Sequence, residues 1–147
     1  MFQHILIATD GSELSNAAIR GGVTLAKSLG AKVTGFYAAP DYTPAVYEDS
    51  FPIYSMSRDE FMKASKARAD TYLVPMATLA KELGVNYQGV WTASDHPAEA
   101  IIRTAENNGC DLIYMASHGR KGIQALLLGS ETQKVLTHCK IPVLVHR

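Results

Sequence analysis

The sequence predicts an α/β fold built around a parallel β-sheet with helices on both faces. Short runs of β-branched and aliphatic residues alternate with longer segments of helical periodicity, which is the pattern of repeated βαβ units. The first run, His4 to Ala8, is almost continuously apolar, as expected of a strand buried on both faces of a sheet. The chain has 147 residues, 47% of them hydrophobic, which suits one domain and is too short for two. We therefore expect a single domain over residues 1–147.

The first strand is followed by a predicted helix and a second strand. The turn from Asp10 to Ser12 contains residue types that favour turns and N-caps, and the helix is expected to run from there to about Leu29. Gly30 is placed to end this helix in the left-handed conformation. The second strand is expected at about Lys32 to Ala39, another run of apolar and β-branched residues.

A long connection precedes the second helix. Residues Pro40 to about Met56 contain three prolines and no sustained periodicity, and connections of this length are often functional or mobile. Ser57 and Glu60 then resemble a capping box that opens a helix to about Leu83. Pro75 lies within that segment and is expected to kink or split the helix.

The second half of the chain contains three more predicted strands and two more helices. In chain order they are a strand at about Asn86 to Thr92, a helix from near Pro97 to Asn108, a strand at Leu112 to Ala116, a helix at Ser130 to His138 and a strand at Pro142 to His146. Ser94 and Asp95 are candidates to cap the third helix, which begins near a proline suited to a first helical turn. Ser130 and Gln133 match a capping box for the fourth helix.

Composition excludes several function classes. The 14 Lys and Arg residues balance the 14 Asp and Glu residues, so no overall field attracts the chain to nucleic acid or to anionic lipid. No apolar run approaches the length that crosses a membrane, and the first residues lack the features of a signal peptide. Cys110 and Cys139 have neither metal-ligand spacing nor the setting of a disulfide scaffold. We expect a cytoplasmic protein that binds neither nucleic acid nor membrane.

Small and polar residues follow strand one, at the edge of the sheet where parallel α/β proteins bind ligands. Ala8, Thr9 and Asp10 occupy this position. The Asp10 carboxylate has the chemistry to accept hydrogen bonds from a ribose hydroxyl or an adenine amino group. The same carboxylate also suits the cap of the following helix, and the sequence leaves both roles open.

A glycine-containing segment follows strand four. Ser117-His118-Gly119 is separated by nine residues from Gly129-Ser130, which stand at the start of a predicted helix. Glycines allow backbone N–H groups to approach an anion closely, and a helix N-terminus adds favourable partial charge. The neighbouring Arg120 and Lys121 are candidates to add positive charge. The segment thus suits a phosphate, although the glycines also fit simple turns and Ser130 also fits a helix cap.

Motifs of several enzyme classes are absent from the sequence. It contains no GxxxxGK[ST], no GxGxxG after a strand, no HExxH and no GxSxG. His118 is the single histidine beside the expected pocket, and a lone loop histidine is more often a polar contact than a general base. Without a paired base and nucleophile, we expect a binding protein rather than an enzyme.

The chain resembles the universal stress protein family along essentially its whole length. The stretches that carry the resemblance are ILIATDGS at strand one, DHPAEAII at the third helix and KIPVLVHR at the end. Nucleotide-binding members of the family carry G-x-x-G, nine residues, then G-[ST]. Here this pattern falls on residues 116–119, Arg120 to Leu128, and Gly129-Ser130. Ala116 replaces the first glycine, and the site survives if this residue ends strand four in ordinary β geometry.

The resemblance implies a Rossmann-like sheet in the order 3-2-1-4-5, which reverses between strands one and four. It implies an adenine nucleotide (ATP, ADP or AMP) at those strand ends, with Mg²⁺ possible beside a triphosphate. By motif match the site comprises Ala8, Thr9, Asp10 and Ala38 at the adenosine end, then Ala116, Ser117, His118, Gly119, Arg120, Gly129, Ser130, Glu131 and Thr132 around ribose and phosphates. Glu131 repels a nearby anion unless its side chain turns away.

The resemblance also implies how the protein acts and assembles. It implies a stress-response or signalling factor that forms a homodimer by pairing the last strand, Pro142 to Arg147, with its counterpart and works through a protein partner that the sequence does not identify. Such pairing protects an otherwise exposed apolar edge. The alternative is a dimeric protein-interaction module of the same fold that no longer binds nucleotide and uses the loop at 40–56 as its contact surface.

Overall fold

The computed structural model describes residues 1–43, 56–120 and 128–147. In chain order the elements are β1 His4–Ala8, α1 Glu13–Leu29, β2 Lys32–Ala39, α2 Arg58–Leu83, β3 Tyr87–Ala93, α3 Pro97–Asn107, β4 Leu112–Ala116, α4 Ser130–His138 and β5 Val143–His146. The predicted strands and helices agree with these bounds to within a residue or two. Most of the predicted connection from Pro40 to Met56 lies outside the described residues, as does Lys121. None of the helices in the described ranges has both the length and the apolarity to cross a membrane.

The five strands form one parallel sheet in the order β3-β2-β1-β4-β5. The order and class expected from the sequence and its resemblance are therefore confirmed. β1 pairs with β2 on one side and with β4 on the other, so the order reverses between β1 and β4. In open parallel sheets, ligands bind beyond the carboxyl ends of the strands at such a reversal. The topology thus places the ends of β1 and β4 at the edge where a site is expected.

The central strands are fixed by a hydrophobic core on each face of the sheet. All residues of β1 and β4 are buried, and alternate side chains of a strand point to opposite faces. Ile5 and Ile7 belong to the core cluster that contains the buried face of α1. Leu6 and Ala8 belong to the second cluster, which α3 and α4 complete. The strand tips at the site therefore rest on well-packed elements.

The predicted boundaries of the first two helices are confirmed by their caps. Ser12 is the N-cap of α1 and accepts a hydrogen bond from the Ser15 N–H, while Gly30 ends the helix with φ of 66°. At α2 the Ser57 side chain accepts from the Glu60 N–H, and the Glu60 side chain accepts from the Ser57 N–H. This is the capping box that the sequence indicates.

Pro75 does not split α2, which is continuous from Arg58 to Leu83. A proline inside a helix removes one N–H donor, here the one that would reach the carbonyl of Thr71. Both residues are exposed, so water can satisfy that carbonyl. Leu73 and Met76 on the opposite side are buried and hold the helix against the sheet. Packing therefore outweighs the local cost of the proline.

The predicted caps of the last two helices are wrong. The N-cap of α3 is His96, without a side-chain cap, and the Ser94 hydroxyl accepts a hydrogen bond from the His96 N–H instead. The N-cap of α4 is Gly129, so Ser130 is the first helical residue and not the cap. The reason at α4 is that the Gly129 backbone is bonded to the end of β4, which moves the helix boundary one residue back from the serine.

Candidate functional site

A cavity of about 760 Å³ opens at the carboxyl ends of β1, β2 and β4, within the size range of small-molecule sites. Ten of the thirteen predicted site residues, all of which the structure describes, line it. They are Ala8, Thr9, Asp10, Ala38, Ala116, His118, Gly119, Arg120, Ser130 and Glu131. The two strand ends chosen from the sequence therefore meet at one concave surface.

The other three predicted residues, Ser117, Gly129 and Thr132, do not line the cavity. The Gly129 N–H donates a 2.7 Å hydrogen bond to the Ser117 carbonyl. The Thr132 hydroxyl, which is buried, donates to the carbonyls of Ala116 at 3.1 Å and Ser117 at 3.2 Å. These bonds satisfy carbonyls left without a sheet partner where β4 ends. The expectation that the Gly129 amide is free to bind an anion is thus wrong, because that amide holds α4 against the strand end.

Two glycines allow backbone segments to approach each other at the site. A Cβ on Gly129 would lie 3.2 Å from the Ser117 carbonyl oxygen and 3.3 Å from the Cα of His118. A Cβ on Gly119 would lie 2.5 Å from Oδ2 of Asp10, closer than real Cβ contacts. The glycines of the motif therefore serve close packing, at Gly129 against α4 and at Gly119 against the turn after β1.

The Asp10 carboxylate connects the two strand ends. Oδ1 accepts a 3.0 Å hydrogen bond from the Ser12 N–H, and Oδ2 accepts a 2.6 Å bond from the Arg120 N–H. Burial by itself would raise the pKa of Asp10, but hydrogen bonds from Ser12 and Arg120 outweigh it, so the pKa lies below its ordinary value. Asp10 is therefore a carboxylate at neutral pH. Its predicted alternative role as the cap of the following helix is wrong, because Ser12 is the N-cap of α1 and Asp10 bonds to the Ser12 N–H in the turn before it.

Ala116 meets the condition that the sequence sets for it. It is the last residue of β4, is buried and pairs in parallel register with His146 of β5. A strand residue has ordinary extended geometry, which alanine adopts without strain. Replacement of the family glycine by Ala116 therefore adds one methyl group to the cavity wall and leaves the backbone turn intact.

Glu131 turns away from the cavity centre and caps a neighbouring helix. Its Oε2 accepts a 2.9 Å hydrogen bond from the Ala98 N–H in the first turn of α3. Its Oε1 lies 2.8 Å from the Lys134 ammonium. The negative charge is thus used at the N-terminus of α3 and in an ion pair. Glu131 therefore repels an anion at the N-terminus of α4 less than a free carboxylate would. Ser130, in the first turn of α4, lines the cavity.

His118 is held beside the cavity by its neighbour. Its Nδ1 lies 3.0 Å from the Ser117 hydroxyl, and its Nε2 is buried without a hydrogen-bond partner among the described residues. Ser117 is only 2% exposed and does not line the cavity, so this serine is not presented as a nucleophile. The pair fixes the imidazole ring, which lines the cavity wall, while its Nε2 atom stays buried.

Several cavity residues are not indicated by the sequence motifs. They come from β2, α2 and α3 and include Phe36, Tyr37, Arg68, Tyr72, Pro97 and Ile101. The Tyr72 ring packs edge-on against Tyr37 with ring centroids 5.0 Å apart, and the Arg120 guanidinium carbon lies 4.8 Å from the Tyr72 centroid. The four-residue spacing of Arg68 and Tyr72 puts them on one face of α2, but spacing alone does not tell which face meets the cavity.

A protein metal site is not built into the described part of the chain. Across residues 1–43, 56–120 and 128–147, no cluster of three or more His, Cys, Asp or Glu side chains is placed to hold an ion. The three carboxylates that line the cavity are Asp10, Asp95 and Glu131, and each already accepts a backbone hydrogen bond.

Comparison with known proteins identifies relatives along the whole chain. Residues 1–147 match the model of the universal stress protein family. A universal stress protein of Methanocaldococcus jannaschii is 32% identical over 153 residues, covering 99% of this chain and 82% of that protein. One from Bacillus subtilis is 29% identical over 149 residues, covering 100% of each. The structure of universal stress protein UspA from Lactobacillus plantarum superposes with a TM-score of 0.77 at 21% identity, over 99% of this chain and 97% of that one.

Some structurally similar proteins were solved with adenine nucleotides. A universal stress protein in complex with cAMP has a TM-score of 0.71 and 24% identity, over 99% of this chain and 97% of that one. One from Archaeoglobus fulgidus in complex with dAMP has a TM-score of 0.65 and 16% identity, over 99% and 98%. One from Arabidopsis thaliana with AMP bound has a TM-score of 0.66 and 14% identity, over 98% and 90%. These likenesses confirm the fold.

Proposed function

Because this chain belongs to the universal stress protein family, we propose that its cavity binds an adenine nucleotide, ATP in particular. The observation that carries the proposal is the single cavity that joins the end of β1 to the first turn of α4. We further propose that the protein acts through this binding as a cytoplasmic stress-response or signalling factor. The nucleotide complexes of the structural relatives support the ligand class.

The cavity offers distinct surfaces for the parts of a nucleotide. Phe36, Ile101 and Met115 supply apolar and aromatic surface, against which a planar base is removed from water. The Asp10 carboxylate retains lone pairs beyond its two backbone bonds, which suit a ribose hydroxyl or an adenine amino group. The N-terminus of α4, at Ser130, supplies backbone N–H groups without helical acceptors, which favour a phosphate.

A Mg²⁺ ion fits this site only as part of a metal–nucleotide complex. Mg²⁺ commonly keeps several waters and is held by substrate phosphates with one or two carboxylates. Since the cavity carboxylates are engaged with backbone N–H groups, we expect the ion to be carried by the phosphates of ATP. Within the described cavity, neither a base paired with an exposed nucleophile nor a carboxylate cluster supports catalysis. We therefore propose binding, with at most slow hydrolysis.

A homodimer through β5 is part of the proposal. β5 lies at the edge of the sheet, and Leu144 on it is 37% exposed. An exposed apolar edge strand is a template for pairing with another strand, and two-fold symmetry would satisfy both edges at once. The paired segment would be Pro142 to Arg147. A further protein partner, whose identity the fold does not indicate, completes the proposed signalling role.

The alternative function is that of a dimeric protein-interaction module without nucleotide binding. The observation that favours it is the Gly129 amide, which is bonded to the Ser117 carbonyl and so is not available to a phosphate. Both oxygens of Asp10 are likewise already bonded to backbone N–H groups. Under this alternative the connection at 40–56, which lies mostly outside the described residues, would be the variable contact surface.

Calorimetric titration separates the two functions. Wild-type protein is titrated with ATP, ADP, AMP and cAMP, with and without Mg²⁺, and saturable heat is expected for at least one nucleotide. The alternative predicts no heat above that of buffer controls. A phosphate-release assay on the same samples is expected to give turnover far below the roughly 1 s⁻¹ at the low end of ordinary enzymes. Turnover at or above that rate would overturn the proposal of a binding protein.

Two variants test the location of the site. Asp10→Ala removes the carboxylate, and Gly129→Val places a side chain against the Ser117 carbonyl, where even a Cβ lies at 3.2 Å. Asp10→Ala is expected to weaken nucleotide binding at least about tenfold, the equivalent of one lost charged hydrogen bond. Gly129→Val is expected to weaken it by a similar factor, because the added side chain displaces the start of α4 from the end of β4. Lys63→Gln, at an exposed position of α2 outside the cavity, is the control, and circular dichroism checks folding. Unchanged affinity in both variants would place the binding site elsewhere.

A further inference from the structure

Two arginines reach the cavity from different elements. Arg68 comes from α2, and Arg120 comes from the segment after β4. Within residues 1–43, 56–120 and 128–147, neither guanidinium forms an ion pair with an acidic side chain. An arginine without a carboxylate partner at the wall of a cavity favours an anionic ligand.

The carboxylates that line the cavity form their hydrogen bonds and ion pair with groups other than these two guanidinium groups. Asp10 accepts two backbone hydrogen bonds, Asp95 accepts one from the Asp41 N–H at 2.9 Å, and Glu131 is bonded at both oxygens. Each carboxylate is therefore held by N–H donors or an ammonium rather than by a guanidinium. A ligand phosphate does not have to displace a carboxylate in order to reach Arg68.

The Tyr72 ring is held in place where α2 meets the turn after β1. Its ring packs on Tyr37, and a Cβ on Gly11 would lie 2.5 Å from its Cε1 atom, so the backbone of the turn after β1 lies directly against it. Gly11 has φ of 77°, which glycine adopts readily. Arg120 lies over the ring, and Arg68 stands one helical turn before it. Tyr72 therefore holds the Arg120 guanidinium at the α2 side of the cavity, which Arg68 of the same helix also lines.

We propose that Arg68 is a specificity residue that binds the outer phosphates of a nucleoside polyphosphate, so that the site favours ATP over AMP. This inference rests on the proposed function. The N-terminus of α4 provides for one phosphate group, and AMP has only one. The β- and γ-phosphates of ATP need further donors, and a planar guanidinium binds phosphate oxygens in pairs. Arg68 provides those donors from the α2 side of the cavity, which Arg120 also lines.

Calorimetry with a pair of nucleotides tests this role. Wild type, Arg68→Gln and Arg103→Gln are titrated with ATP and with AMP at two salt concentrations. Arg103 is an exposed arginine of α3 outside the cavity, so its variant is a control for loss of a surface charge. We expect Arg68→Gln to weaken ATP binding about tenfold and AMP binding less than about twofold, with a smaller salt dependence for ATP. Arg103→Gln is expected to change neither.

The outcomes distinguish this inference from the function on which it rests. If wild type binds ATP but Arg68→Gln weakens ATP and AMP equally, or weakens neither, Arg68 does not read the outer phosphates and only the inference falls. If wild type binds AMP as tightly as ATP, the inference also falls while nucleotide binding stands. If wild type binds no nucleotide, both are wrong. Arg68→Lys provides a further check, because a point charge without paired donors is expected to recover only part of the ATP affinity.

Discussion

The Asp10 carboxylate accepts a 2.6 Å hydrogen bond from the backbone N–H of Arg120, 110 residues later in the chain. This bond joins the turn after β1 to the segment after β4, across the position where the strand order reverses. Arg120 makes a second bond to the same turn, since its guanidinium donates to the Gly11 carbonyl at 3.4 Å. The shape of the cavity at this end therefore depends on one acidic side chain.

Stability should depend on pH through Asp10. Its pKa is lowered in the folded protein, so its contribution is present above the unfolded value of about 3.9 and is lost as pH falls through the folded pKa. We expect Asp10→Asn to lower the free energy of unfolding at pH 7, and we expect this difference to shrink as pH falls below about 4 and through the lowered pKa of Asp10. Urea unfolding of both proteins across this range measures it. A difference that stays constant with pH would show that the charge of Asp10 contributes nothing.

Substitution of Gly119 should be coupled to Asp10. Gly119→Ala places a Cβ 2.5 Å from Oδ2 of Asp10, so the hydrogen bond to Arg120 cannot keep its present geometry. We expect a loss of about 1–3 kcal/mol in the free energy of unfolding. In the Asp10→Ala background the clash is absent, and the same substitution should cost clearly less. A double-mutant cycle by chemical denaturation measures the coupling, and strictly additive effects would contradict the contact.

Replacement of Ala116 by glycine should leave nucleotide binding intact. Ala116 ends β4 in extended geometry, so the glycine of the family pattern is not needed for backbone conformation here. Ala116→Gly is expected to change affinity less than about threefold and to destabilise the strand by roughly 0.5–1 kcal/mol. Calorimetry and urea unfolding measure the two effects. A large gain in affinity would show that the Ala116 methyl group obstructs the ligand.

A charge at Leu144 should prevent the proposed dimer. Leu144 is partly exposed on the edge strand β5, and a charged side chain on an edge opposes pairing with a second strand. We expect Leu144→Arg to be monomeric by light scattering while wild type is dimeric. Val74→Arg, at a 55% exposed position of α2, is the matched control and should keep the wild-type mass. A monomeric wild type, or a dimeric Leu144→Arg, would contradict pairing through β5.

Much of the fold is readable from the sequence because its signals are local. Continuous apolar runs mark the buried strands, and the box at Ser57 and Glu60 marks the start of α2 to the residue. The predicted caps at Asp95 and Ser130 are wrong because the deciding contacts are distant in sequence. The Gly129 N–H bonds to Ser117, and Asp95 is used by the Asp41 backbone.

The site is predictable only where it lies on strand ends. Asp10 and Gly119 follow strands whose order the resemblance to a family supplies, and they do line the cavity. Arg68 and Tyr72 cannot be predicted from the sequence. They lie on a long, mostly polar helix, and packing against β2 and β3, which hydrophobic periodicity does not reveal, decides which of its faces meets the cavity. The Gly129 amide is a similar case. The sequence does not show that the Ser117 carbonyl needs a hydrogen-bond donor, and the Gly129 N–H supplies it.

Glu131 bears on how helix termini are interpreted in folds of this kind. An acidic residue in the first turn of a helix is expected to stabilise that helix through its dipole. The Glu131 carboxylate instead accepts a hydrogen bond from Ala98 of α3, 33 residues earlier in the chain. The Glu131 carboxylate is thus part of α4 in sequence, but it stabilises the N-terminus of α3. Neutralising it should loosen the start of α3 and leave the amino end of α4 more strongly electropositive toward whatever enters the crevice.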